Sequence, residues 1–281
     1  MWDNRFGIIC DLDGGPNDDV LRGVVGELGD VSTFKLFSMH TSKVFGWGMG
    51  PIVVGNTRFG MSTTPTQTIV TFLNADGTDP HVLDDRQAPG VYQIGELSTT
   101  GDHFFWTQFA VFGTTERIRS FYSDGVHRGK MLLDPAPGYQ DGSVRAADTH
   151  IAWQRGHDMQ PGEPNKYDHI EMWASRYHGD PTDLAPYKVA DLPKSHLVET
   201  FAWGGWGHFA VLVPEGPWAT LEIWNLEKKT HWNAAMDHDE SYRMAGFTKT
   251  HLWLTASTPN NTAIASAIFR CPMDAPFVPN K

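Results

Sequence analysis

The sequence predicts an all-β chain, a β-propeller of five or six four-stranded blades with an atypical or partial N-terminal blade. Three observations predict it. A turn residue, a histidine and an apolar run recur at Gly101–Trp106 (GDHFFW), Thr149–Trp153 (THIAW), Gly207–Val211 (GHFAV) and Thr250–Leu254 (THLWL). The histidines are spaced by 47, 58 and 43 residues, against a period of roughly 40–50 for four-stranded propeller blades. Each motif sits among further short runs of β-formers separated by polar turns, four runs per repeat. Finally, no segment holds a 3.6-residue apolar period over three turns; the best helix candidate, Asn17–Leu28, is interrupted by glycines.

The elements follow in order. Residues 1–43 are an ambiguous N-terminal segment or partial blade. Within it Arg5–Asp13 reads as a strand. It is either the third strand of a partial blade or the outermost strand of the last blade, pairing with Ala263–Arg270 to close the ring and remove an open edge. Residues 44–85 form a blade from Val44–Trp47, Pro51–Asn56, Thr68–Leu73 and His81–Leu83, with Pro51 at the histidine position. Residues 91–134 supply Val91–Leu97, His103–Phe112, Arg117–Ser123 and Lys130–Leu133. Residues 143–191 supply Ser143–Ala147, His150–Gln154, His169–Tyr177 and Tyr187–Ala190. Residues 198–236 supply Val198–Trp203, His208–Val213, Thr220–Leu226 and His231–Ala234. Residues 242–278 supply Tyr242–Phe247, His251–Ala256, Ala263–Arg270 and Phe277–Val278.

Two stretches carry a family resemblance. IVTFLNADGTDPHVLDD (Ile69–Asp85) and RIRSFYSDGVHRGKMLLD (Arg117–Asp134) each join a strand through an Asp-Gly turn to a short strand ending in leucine, and IICDLDGG (Ile8–Gly15) echoes them. This pattern resembles the WD40-like repeat of the TolB-type propellers. EIWNLEKKTHW (Glu222–Trp232) lacks the Asp-Gly turn. The resemblance implies architecture and carries no catalytic residue across, because many functions share this fold. TolB-like propellers are similar to some metal-dependent sugar lyases whose pores gather histidines around a divalent ion. The resemblance therefore implies a metal-dependent carbohydrate lyase or glycosidase as an alternative function.

The repeated histidines do not fit such a pore. Each begins the second strand of its blade, set outward by about 4.8 Å from the innermost strand. On that geometry opposite histidines stand roughly 20 Å apart, against a Zn–N bond of about 2 Å. His103, His150, His208 and His251 are thus expected to be turn residues, and neither a metal nor a cofactor is expected.

Composition narrows the partners. The formal net charge of −11 disfavours phosphate backbones, so no nucleic acid is expected. No run of about 18 apolar residues exists to span a bilayer, and the start lacks the pattern of a signal peptide. The two cysteines, Cys10 and Cys271, have no zinc-site spacing and are expected as free thiols. Together these predict a soluble, cytoplasmic chain, or the mature form of an exported one. No GxSxG elbow, phosphate loop or GxGxxG appears. Asp11, Asp13, Asp18 and Asp19 lack the EF-hand spacing. His238-Asp239-Glu240 reads as a solvated turn between blades.

Two groups remain as candidates. His157-Asp158 faces Asp168-His169 across the Pro/Gly-rich stretch Met159–Tyr167, a pattern able to ligate cations or shuttle protons, although it reads as an exposed connection. Trp47 and Trp203 are flanked by glycines at matching places, and Trp206 lies close behind. Tryptophan supplies contact area and a polar N–H, so these three rings, with His157 and Asp158, are the expected ligand contacts. The remaining tryptophans on strands, Trp106, Trp153, Trp173, Trp224 and Trp253, are expected to pack between sheets. The expected function is a non-catalytic binding propeller for a protein, peptide or small aromatic molecule at a rim or in the axial channel. A further alternative is an assembly subunit whose incomplete first blade is completed by another chain.

Overall fold

A computed structural model of the chain describes residues 5–10, 20–27, 29–40, 49–63, 69–74, 78–85, 92–110, 119–133, 136–159, 167–192, 202–215, 218–236, 241–247, 250–257 and 266–272. The described residues are almost wholly strand, with one 3-10 turn at Pro181–Asp183. No helix among them is long and apolar enough to cross a membrane. The chain divides into two compact units, Met1–Ala136 with Gln140–Val144, and Pro137–Tyr139 with Arg145–Lys281.

The first unit holds three sheets whose strands follow chain order. The first joins β1 (Arg5–Cys10), β2 (Val20–Glu27) and β3 (Asp30–His40). The second joins β4 (Met49–Val54), β5 (Phe59–Thr63), β6 (Ile69–Phe72) and β7 (Pro80–Asp84), and the third β8 (Tyr92–Thr100), β9 (His103–Ala110), β10 (Arg119–Ser123) and β11 (Lys130–Leu133).

In the second unit, with β12 (Tyr139–Ala147) drawing residues from both, the fourth sheet continues through β13 (His150–Met159), β14 (Tyr167–Arg176) and β15 (Tyr187–Leu192). The fifth joins β16 (Ala202–Gly205), β17 (His208–Glu215), β18 (Trp218–Asn225) and β19 (Thr230–Met236). The sixth joins β20 (Ser241–Phe247), β21 (His251–Ser257) and β22 (Ser266–Pro272). Every strand pairing among the described residues is antiparallel between neighbours in sequence, as hairpin connections dictate.

The N-terminal elements differ from the sequence reading. The described part of the helix candidate Asn17–Leu28 is not helical: Val20–Glu27 is a strand paired on both sides, where β-branched Val24 and Val25 suit a pleated surface. Arg5–Cys10 opens the first sheet by pairing with β2, so it is neither a third strand nor, among the described residues, a partner of β22. Within the second sheet Pro51 belongs to β4, at a register shift between Met49 and Ile52, and Phe59 takes the histidine position opposite Val54. Proline donates no ladder hydrogen bond, so an irregularity is where a strand accommodates it. Val44–Trp47 and Phe277–Val278 lie outside the described residues.

Sheets in each unit meet through their first strands: β1 contacts β4, β4 contacts β8, and β16 contacts β20. The turns after these strands also bond to one another. Asn56 N donates to Gly101 O (3.0 Å), and Asp102 Oδ1 accepts from Thr57 N (2.8 Å) and Arg58 N (3.1 Å). In the second unit Gly207 N donates to Ala147 O (2.9 Å). The approach is close enough that a Cβ on Gly204 would stand 2.5 Å from Ala146 O.

The core of the first unit gathers Ile69, Leu83, Leu97, Phe104, Trp106 and Phe121. Trp106 stacks on Phe121 at 6.0 Å, and its Nε1 donates to the buried carboxylate of Asp84 (2.8 Å), which also accepts from Gln108 Nε2 (3.1 Å). Thus the residue ending the β7 repeat ties the second sheet to the third. Trp153, Ile151, Ile170, Phe209, Leu221 and Ile223 are buried in the second unit.

Candidate functional site

The fourth sheet carries the most concentrated chemistry among the described residues. β13 and β14 pair from His150↔Arg176 to Met159↔Tyr167. His157 and Asp158 therefore lie in β13, which runs past the expected end at Gln154, and His169 lies in β14, within the strand expected from it. The polar run Arg155-Gly156-His157-Asp158 hides its strand character because only alternate positions of a strand need be apolar.

Directly paired residues of an antiparallel ladder project to one face. The pairs Arg155↔Glu171 and His157↔His169 put four polar groups there, beside Trp153↔Trp173. On the other flank of β14, Asp191 is opposite Glu171. The register then slips between Met172 and Trp173, which leaves Val189 as the extra residue and sets Lys188 opposite Trp173. Without that bulge an apolar side chain would occupy the place of the ammonium.

Glu171 is the hub. Its side chain is 10% exposed. Oε2 accepts from His157 Nε2 (2.8 Å) and from Trp173 Nε1 (2.8 Å), and Oε1 accepts from Lys188 Nζ (2.7 Å). Lys188 Nζ also reaches Asp191 Oδ1 (2.6 Å), and His169 Nε2 donates to the same oxygen (2.7 Å). Burial alone would push the Glu171 carboxyl up, but the bonds from Lys188, His157 and Trp173 outweigh it and bring it down to about 2. The Lys188 bond likewise holds Asp191 below the usual carboxylate range, and its partners raise Lys188. Two rings complete the face. Tyr139 meets His157 edge-on at 4.5 Å, and the Arg155 guanidinium lies over Trp173 (4.5 Å) and Tyr139 (5.7 Å).

One ligand atom from each of His157, His169 and Glu171 lies within 4.8 Å of the others, a grouping able to hold a metal ion. The sequence pointed to both histidines of this trio and missed Glu171, Lys188, Asp191, Arg155, Trp173 and Tyr139. The stripes Arg155-x-His157 and His169-x-Glu171-x-Trp173 were the available signal, since a period of two marks one strand face.

The tryptophan candidates fall elsewhere. Trp203 is in β16, paired with Ala210, and nothing further is described of its side chain or that of Asp158; Trp47 lies outside the described residues. Trp206 occupies the β16–β17 turn with φ +50°, followed by Gly207 at +70°. Both signs suit a type I′ hairpin turn, yet tryptophan is a costly residue there. Gly207 bonds beside the β12–β13 turn, whereas His157 is seven residues along β13 from His150, roughly 23 Å at strand rise. Trp206 and His157 thus belong to two separate places.

The recurrent histidines begin β9, β13, β17 and β21, as expected. Their bonds are local: His150 Nδ1 with Thr149 Oγ1 (2.9 Å), His251 Nδ1 with Thr250 Oγ1 (2.8 Å), and His208 Nδ1 donating to Trp206 O (2.7 Å). None joins the metal-capable trio.

No family model matches the sequence, and comparison with curated proteins finds no match. Solved structures do match. One is the crystal structure of a nidogen/laminin complex, at 9% identity and a TM-score of 0.54, over 96% of this chain and 89% of that one. Another is prolyl oligopeptidase B from Galerina marginata bound to a hydrolysis and macrocyclization substrate, at 12% identity and a TM-score of 0.55. There the match covers 97% of this chain and only 40% of the enzyme's. With its four-stranded antiparallel sheets, the likeness shows a β-propeller fold.

Proposed function

We propose that the protein is a binding propeller that takes a peptide or a small polar molecule against the half-exposed face of β13, β14 and β15. The observation that carries this reading is the Arg155 guanidinium held over the rings of Trp173 and Tyr139, next to Lys188 and the two imidazoles. A guanidinium backed by rings keeps its fork oriented, which favours a carboxylate or carbonyl ligand. Trp203 and Trp206 stay in this proposal as contacts of a second subsite, and Asp158, next to His157 in β13, as a contact of the first. The Asp-Gly turns keep a TolB-like kinship as part of it, and Asp124 fits that role: it caps Val126 N (3.0 Å) and His127 N (2.8 Å).

The test is a random peptide library panned against the full chain, with the selected peptides measured by calorimetry. Arg155→Met and Trp173→Phe are expected to weaken binding at least tenfold while Asp124→Asn leaves it unchanged. Peptides that bind all variants alike would defeat the reading.

A second reading is an assembly subunit. Among the described residues no fourth strand pairs with β3, whose Val31 and Leu36 are 78% and 85% exposed. Light scattering coupled to size exclusion tests it; a monomer at all concentrations removes it.

A further inference from the structure

We infer that His157, His169, Glu171 and Asp191 form a binding site for one divalent transition-metal ion of the zinc class. The inference shares a sheet face with the proposed ligand site and does not depend on any peptide binding there.

Two imidazoles and two carboxylates make a mixed nitrogen and oxygen donor set. That set suits zinc and its neighbours, whereas calcium and magnesium prefer oxygen alone. The donors come from three adjacent strands, so the backbone ladder fixes their spacing before any ion arrives. Tetrahedral zinc needs donor separations of roughly 3.4 Å. Here His157 Nε2 is 2.8 Å from Glu171 Oε2, His169 Nε2 is 3.6 Å from Glu171 Oε1, and His169 Nε2 is 2.7 Å from Asp191 Oδ1. Side-chain rotations of a few tenths of an ångström up to about 1 Å convert this network into a ligand set.

Further features fit a metal site. Glu171 already has an outer partner, Trp173 Nε1, which fixes the carboxylate while leaving Oε1 to exchange partners. The site is also open on one side: His169 and Asp191 are 38% and 57% exposed, giving the ion a path in. Lys188 bridges Glu171 and Asp191 with a single positive charge, on a side chain 39% exposed and able to swing out. In this reading the ammonium holds the carboxylates together until a metal cation displaces it.

The experiment titrates zinc chloride into the full chain at neutral pH, followed by calorimetry and by the ring-nitrogen NMR resonances of the histidines. One equivalent is expected to bind and to shift two imidazoles. His157→Asn and His169→Asn each lower the affinity at least tenfold. Lys188→Met raises it about tenfold, because the competing ammonium is gone. Absence of zinc binding, or binding that persists in both histidine variants, overturns the site. Should either variant fail to fold, the wild-type spectrum decides: shifts of no imidazole, or of histidines other than residues 157 and 169, overturn it as well.

Discussion

His208 and Asn225 lock each other across β17 and β18. Asn225 Nδ2 donates to His208 Nε2 (3.0 Å), while His208 Nδ1 donates to Trp206 O (2.7 Å). Both ring nitrogens are therefore used by a neutral imidazole carrying its proton on Nδ1. Asn225 Oδ1 also accepts from Lys228 N (2.8 Å), so one buried amide organises two turns. Asn225→Ala is expected to cost about 2 kcal/mol in urea unfolding. Nitrogen NMR should report the Nδ1–H tautomer for His208 in the wild type and its loss in the variant.

Acid should weaken the fold in two stages. Burial, followed by the nearby Arg176, keeps His150 below its ordinary value. A depressed imidazole contributes stability while neutral, and this is lost as pH falls below about 6.5 toward the folded value. Glu171, faced by His157, His169, Arg155, Lys188 and Asp191, titrates at about 2. Its contribution is complete above about 4.5 and drains away as pH drops toward 2. Thermal melts against pH should show both limbs. Glu171→Gln should shrink the lower one, to which Asp191 also contributes, and cost about 2 kcal/mol at neutral pH.

Gly204→Ala is expected to destabilise by about 2 kcal/mol. Its new methyl meets the Ala146 carbonyl oxygen at 2.5 Å, and backbone cannot swing aside as a flexible side chain would. The urea midpoint measures it, with Gly138→Ala as the contrast: nothing lies within 4 Å there, and only the strain of φ +92° remains.

At Trp206 two replacements separate ring from backbone. Ala and Asn both lose the indole, but Asn tolerates the left-handed φ of +50° better. Trp206→Asn should therefore be about 1 kcal/mol more stable than Trp206→Ala in the same urea titration.

Local pattern made the sheets legible. His103, His150, His208 and His251 each start a second strand because a tight turn must precede an apolar run, and that order is written in adjacent letters. The fate of Trp106 and Trp153, fully buried, was equally readable from strand position. The first fifty residues were not, since β2 carries two glycines within a valine-rich strand and mimics a weak helix. The site around Glu171 escaped for a different reason. Its six unrecognised members sit on four strands, and Lys188 reaches them only through a bulge that no spacing announces. Trp206 and His157, grouped by composition, are parted by the length of β13.

The bonds between successive turns have a cooperative consequence. The Asn56 amide proton is held by the next sheet's turn, and that of Gly207 by the sheet before it. Neither can exchange with solvent by fraying of its own hairpin alone. Within each unit an opening must involve two adjacent sheets at once, which makes these turns, ordinarily the loosest parts of a hairpin, slow-exchanging joints of the array.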